Sequence, residues 1–96
     1  MAIYFKSNEP QKLLTEFKKA ISEGKISTWS IDKDGDFTHT PEQWRNHAWL
    51  RPKIEIGQLT FHILKPKGTN ISSMDYAVYH GRFIESMLHH CDTLFT

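Results

Sequence analysis

Cysteine is nearly absent from this chain. Cys91 stands alone, which excludes an internal disulfide and any cysteine-built metal cluster, and suits a reducing compartment. Charge is not in excess of either sign: the formal net charge is +1, so no overall field argues for nucleic acid or an acidic membrane surface. No apolar run approaches the ~18 residues that a membrane span needs. No basic-then-apolar leader opens the sequence, and the expectation is a cytoplasmic protein with no membrane contact. The five glycines are scattered through Gly24, Gly35, Gly57, Gly68 and Gly81, so no phosphate-cradling loop can be built from them. There are no repeats and no low-complexity tracts.

What is present describes an ordinary globular chain. A hydrophobic fraction of 39%, an aromatic fraction of 12% and both charge signs well represented exclude a disordered tail. At 96 residues one domain, residues 1–96, is expected, burying roughly two-thirds of its unfolded surface. Six histidines make the charge climb as pH falls through their ordinary pKa of about 6.5.

The strongest local signal is Ile26 to Thr40, ISTWSIDKDGDFTHT. A three-residue loop of Lys33, Asp34 and left-handed Gly35 sets Ile31 opposite Phe37 and Trp29 opposite His39, all four on one face. A two-residue Asp34-Gly35 turn would set Ile31 against Thr38 and Trp29 against Thr40, mixing apolar with polar, so the longer loop is the better register. A second hairpin is expected from Lys53 to Leu64, with Gly57-Gln58 as a type II′ turn placing Ile56 opposite Leu59 and Ile54 opposite Phe61. Pro52 implies an edge position, or a strand that begins after it. Ala2 to Lys6 reads as a short strand or arm, Pro41 to His47 as a helical turn, and Lys65 to Ser73 as a loop.

Two helices complete the pattern. Ser7 or Asn8 can cap the first, with Pro10 in its first turn and Gln11 closing a box with Asn8. Leu13, Leu14, Phe17, Ala20 and Ile21 form its apolar arc, about a third of the circumference, and Gly24 stops it. Ser72 or Ser73 caps the last helix, with Asp75 favourably placed in its first turn. That helix carries two stripes. Met74, Ala77, Gly81, Ile84, Leu88, Cys91 and Phe95 step by three and four, and Ala77 and Gly81 make this stripe thin enough to lie close on the sheet. Tyr76, His80, Phe83, Met87, His90 and Leu94 lie about a quarter-turn away and need another surface: the first helix, or a partner such as a second copy across a two-fold axis. Tyr76, Tyr79, Phe83, Met87 and Leu94 are the residues expected at such an interface.

Asp32, Asp34 and Asp36 alternate as in the first half of a calcium loop. Phe37 then stands where glycine is required, His39 where an apolar residue belongs, and Gln43 where a bidentate glutamate is needed, so a plain hairpin turn accounts for them better. The histidines show neither a four-residue helical spacing nor HExxH, and His89 and His90 point about 100° apart on a helix; no metal and no cofactor is expected. Asp34 or Asp36 with His39 as acid and base, and Arg45 or Arg51 for an anion, would make a hydrolytic site, but no GxSxG motif accompanies them. The segment Trp44, Arg45, Asn46, His47, Ala48, Trp49, Leu50, Arg51 interleaves rings and cations. Such mixtures stack on bases and pair with phosphates, and they equally dominate protein interfaces. With so little net charge, protein outweighs nucleic acid.

The reading is an α+β fold: an antiparallel sheet of four or five strands from two hairpins, with two helices mainly on one face. Binding is expected over catalysis, as a small interaction or regulatory module, homodimeric through the C-terminal helix, with His39, Trp44, Arg45, His47, Trp49 and Arg51 as binding residues. A small hydrolase or nucleic-acid binder using His39 and Arg45 to Arg51 is the alternative.

Overall fold

A computed structural model describes residues 2–66, 68 and 71–95. Five strands form one antiparallel sheet: β1 (Ala2–Lys6), β2 (Trp29–Ile31), β3 (Phe37–His39), β4 (Trp49–Glu55) and β5 (Gln58–Leu64), in the order β1-β5-β4-β3-β2. Two helices, α1 (Pro10–Ser22) and α2 (Ser73–Cys91), pack on one of its faces, and a 3-10 turn (Asp92–Leu94) follows α2. No helix is long and apolar enough to cross a membrane among the described residues.

The first hairpin has the expected register, with Trp29 opposite His39 and Ile31 opposite Phe37. Gly35 takes φ +84°, and Asp32 Oδ1 accepts the backbone N–H groups of Asp34 and Asp36, both at 2.9 Å, so the loop satisfies its own donors. The second hairpin differs. Its turn is Ile56-Gly57, so Glu55 faces Gln58 and Ile54 faces Leu59. Gly57 supplies the positive φ, +76°, at the second central position, which is where a type II turn needs it. The Gln58 amide and the Thr60 hydroxyl both donate to the Glu55 carboxylate and fasten this register. The shift is two residues, an even number, so Ile54, Leu59 and Phe61 keep a common face, while Ile56 is left in water.

Pro52 lies inside β4, a central strand, contrary to the expected edge position. Its flank is locally open all the same: β3 pairs with β4 only at Phe37 and Leu50, so no ladder continues past Leu50 to demand the missing N–H.

Helix α1 begins at Pro10 with Glu9 as N-cap and no side-chain cap; neither Asn8 nor a box with Gln11 forms it. Ser7 instead accepts the Glu9 N–H at 3.0 Å and donates to the Leu94 carbonyl, tying the start of α1 to the end of the chain. Gly24, at φ +78°, ends the helix as expected. Ser72 caps α2 through the Asp75 N–H at 3.0 Å. The loop expected over Lys65 to Ser73 lies partly outside the described residues.

The core is aromatic and centres on Phe83. Its ring stands 4.6 to 6.4 Å from those of Phe61, Trp29, Phe17, Phe37 and Phe5. Tyr79, Met87 and Cys91 extend the same line along α2. The faces of α2 are therefore assigned opposite to expectation: Tyr79, Phe83 and Met87 meet the sheet and α1 and are fully buried within the subunit, and most of the thin stripe faces water. Bulk decides this. The sheet and α1 leave a deep trough between them, and a line of Ala77 and Gly81 would leave it empty, which close packing does not tolerate.

Candidate functional site

β3, the loop after it and β4 carry the residues expected to bind, and the structure separates them into three places. His39 is inside: its ring lies 4.5 Å from that of Trp29 and Nδ1 is 2.8 Å from the Thr28 carbonyl. Burial pushes its pKa below the ordinary value, so it is a neutral core histidine near neutral pH.

Trp44 and His47 sit over the N-terminus of α2. Asn46, at φ +60°, bends the chain so that His47 Nδ1 reaches Asp75 Oδ1 at 2.8 Å. The hydrogen bond from His47 holds the Asp75 carboxyl below its usual range. Trp44 packs against the core, and its carbonyl accepts the Tyr79 hydroxyl. Arg45 turns back to the Thr40 carbonyl through Nε at 3.4 Å. This cluster fastens a loop to a helix end through the His47–Asp75 and Tyr79–Trp44 hydrogen bonds.

Trp49 and Arg51 flank the buried Leu50, so alternation puts both on the sheet face away from the helices. There the Arg51 guanidinium grips the Asp36 carboxylate bidentately, at 2.9 and 2.8 Å. Donating these hydrogen bonds to the Asp36 carboxylate raises the Arg51 pKa. Asp36 is buried. The ligand atoms of Asp32, Asp34 and Asp36 do lie within 4.8 Å of one another, but Asp36 is committed to Arg51 and one oxygen of Asp32 to two backbone donors. His39 shares the helix-side face of β3 with Phe37, whereas Asp36 and Arg51 meet on the opposite face, so these residues do not converge as acid, base and anion holder.

The second region is the outward face of α2. Of the residues expected at an interface, Tyr79, Phe83 and Met87 have no exposed surface, Tyr76 is half-buried with its ring stacked at 4.5 Å on His80, and Leu94 is half-buried against the core. The apolar side chains that do reach water belong to the other stripe: Met74 is 63%, Leu88 51% and Ile84 38% exposed. Between them Ala77 and Gly81, both exposed, leave a shallow hollow of about 360 Å³ bounded also by Val78, Arg82 and Glu85. With Gly81 as zero and ~100° per residue, Met74 and Leu88 fall within ~20°, Ala77 and Glu85 within ~40°, and Val78 and Ile84 within ~60°, whereas Phe83 lies ~160° away.

Sequence reasoning found this stripe but turned it inward. The signal that would have placed it is side-chain volume, since Tyr79, Phe83 and Met87 carry far more apolar surface than Ala77, Gly81 and Ile84. A further groove, about 340 Å³, runs between α1 and the C-terminal end of α2 and is lined by both charge signs, including Lys12, Glu16, Lys19, Glu23, Lys25 and His90. No protein-family model, curated protein or solved structure matches this chain.

Proposed function

We propose that this chain is a protein-interaction module whose contact surface is the outward face of α2. The observation that carries the reading is the exposure of Met74, Ile84 and Leu88 in one line on a well-formed helix. A helix lying on a sheet needs a single apolar stripe, and α2 already has that in Tyr79, Phe83, Met87 and Cys91. A second, rimmed by Arg82 and Glu85, is surplus to folding and is the kind of surface that partners cover. The hydrolytic alternative loses its support, because His39 is enclosed and Asp36 is held by Arg51. A lone, buried cysteine suits a module working in the cytoplasm.

The test is site-specific photocrosslinking in the cell that makes the protein. A benzophenone side chain at Leu88 is expected to yield one discrete protein adduct, and the same probe at Lys19, exposed on α1, none. Identical adduct patterns from the two positions would overturn the proposal.

A further inference from the structure

Resting on that reading, we infer that the partner is a second copy of this chain, packed antiparallel along α2 with the two-fold axis passing between Gly81 and Ile84. The stripe is unequal along its length. Ala77 and Gly81 are small and lie toward the N-terminus; Ile84 and Leu88 are large and lie toward the C-terminus. A two-fold interface uses one patch on both subunits, so that patch must complement itself. Antiparallel packing does this: Ile84 of each copy enters the gap at Gly81 of the other, and Leu88 covers Ala77. Parallel packing would oppose Gly81 to Gly81 and Leu88 to Leu88, leaving a void at one layer and a clash at the next.

Charge agrees with shape. Arg82 and Glu85 border the hollow on the same side of the stripe, and the two-fold operation keeps them on a common side. Arg82 of one copy then lies about 3 Å along the helix axis from Glu85 of the other, at 1.5 Å rise per residue, so the pair forms twice. Antiparallel helices also set opposite macrodipole ends beside each other.

Gly81 supports the same geometry independently. Glycine weakens a helix interior, and among the described residues nothing packed on α2 requires its small size, since beyond the helix's own backbone a Cβ built there would meet no atom within 4 Å. Its shape is useful only to something arriving from outside.

The strip that this register pairs, Ala77 to Leu88, is roughly 17 Å long and buries a few hundred Å² per subunit, less than the ~800 Å² per partner of a standard interface. The pair is accordingly reversible and concentration-dependent. Light scattering should show the mass rising from 11.3 kDa toward twice that as concentration climbs from about ten micromolar to about a millimolar. Gly81→Leu fills the hollow and should weaken pairing by roughly tenfold or more with the fold intact by circular dichroism.

Register is read by oxidation of cysteine variants, with the unaltered chain as background; Cys91 is buried and its thiol pKa is pushed up by that burial. An equimolar mixture of Ala77→Cys and Leu88→Cys chains should form a disulfide-linked dimer, and each variant alone should not. Self-linking of either variant alone, or a mass that never leaves that of the monomer, overturns the inference. In the monomeric case, a discrete Leu88 photoadduct of some other mass would leave the interaction surface standing with a different occupant. Absence of both would remove the two readings together.

Discussion

Replacing Gly81 by alanine isolates what this residue does inside the subunit. The position is in the middle of a helix with 19 residues, is exposed, and has open space where a Cβ would go. The methyl group therefore costs no packing and adds no desolvated polar group. What changes is the backbone: glycine in an exposed helix interior is about 1 kcal/mol less favourable than alanine, chiefly because the unfolded chain loses freedom. For a domain of this size, that should raise the melting temperature by roughly 4–8 °C. The measurement is a circular dichroism melt at a few micromolar, where association does not contribute, supported by a denaturant midpoint. An unchanged or lowered midpoint would refute the reasoning, because it would mean that the backbone at Gly81 is needed by the subunit itself. The same substitution at high concentration should not strengthen pairing, so stability and association would move independently.

The assignment of the α2 faces is tested by neighbours in sequence: Met87→Glu should abolish folding, whereas Leu88→Glu should leave stability within about 0.5 kcal/mol of the parent, both read by thermal melts. Phe83→Ala removes the ring at the centre of the aromatic core and should cost about 3–5 kcal/mol, a large share of a typical total of roughly 5–15 kcal/mol, measured by urea unfolding. His39 is favoured neutral in the folded state by its burial, so the unfolded chain takes up its proton first. Its stability contribution should be flat above the ordinary value of 6.5, fall as pH drops below it, and level off below the lowered folded pKa; His39→Gln should remove that part of the slope in denaturant midpoints taken from pH 8 to 5. Asp75, depressed by its bond from His47, adds stability above the ordinary carboxylate pKa of about 4 that is lost as pH falls further, and Asp75→Asn should flatten that acidic limb.

The first hairpin was legible because its register is fixed locally: an Asp-Gly loop and the matching of Trp29, Ile31, Phe37 and His39 across it leave one sensible pairing. The second was legible in its partners and in which side chains share a face, but not in its turn, because Gly57 serves either central position of a two-residue turn and only the Glu55, Gln58 and Thr60 hydrogen bonds choose between them. Pro52 misled because its tolerance depends on where the neighbouring strand stops, which its own neighbourhood does not encode. The Trp44 to Arg51 segment reads as one unit along the chain. Asn46 and the strand alternation from Trp49 scatter it over a helix end and the far face of the sheet. On α2 periodicity revealed both stripes, and their opposite destinations depended on a trough whose depth is set by residues far away in sequence.

The single pairing between β3 and β4 divides the sheet mechanically. β1, β5 and β4 form a continuous board, with Ala2 to Lys6 and Trp49 to Glu55 fully laddered to β5, while the first hairpin is a flap joined to it by the Phe37–Leu50 pair, the Arg51 clasp on Asp36 and the Thr38 hydroxyl on the Ala48 carbonyl, and seated on the core through Trp29 and Phe37. Amide protons of the flap should therefore exchange through partial openings that leave the board closed.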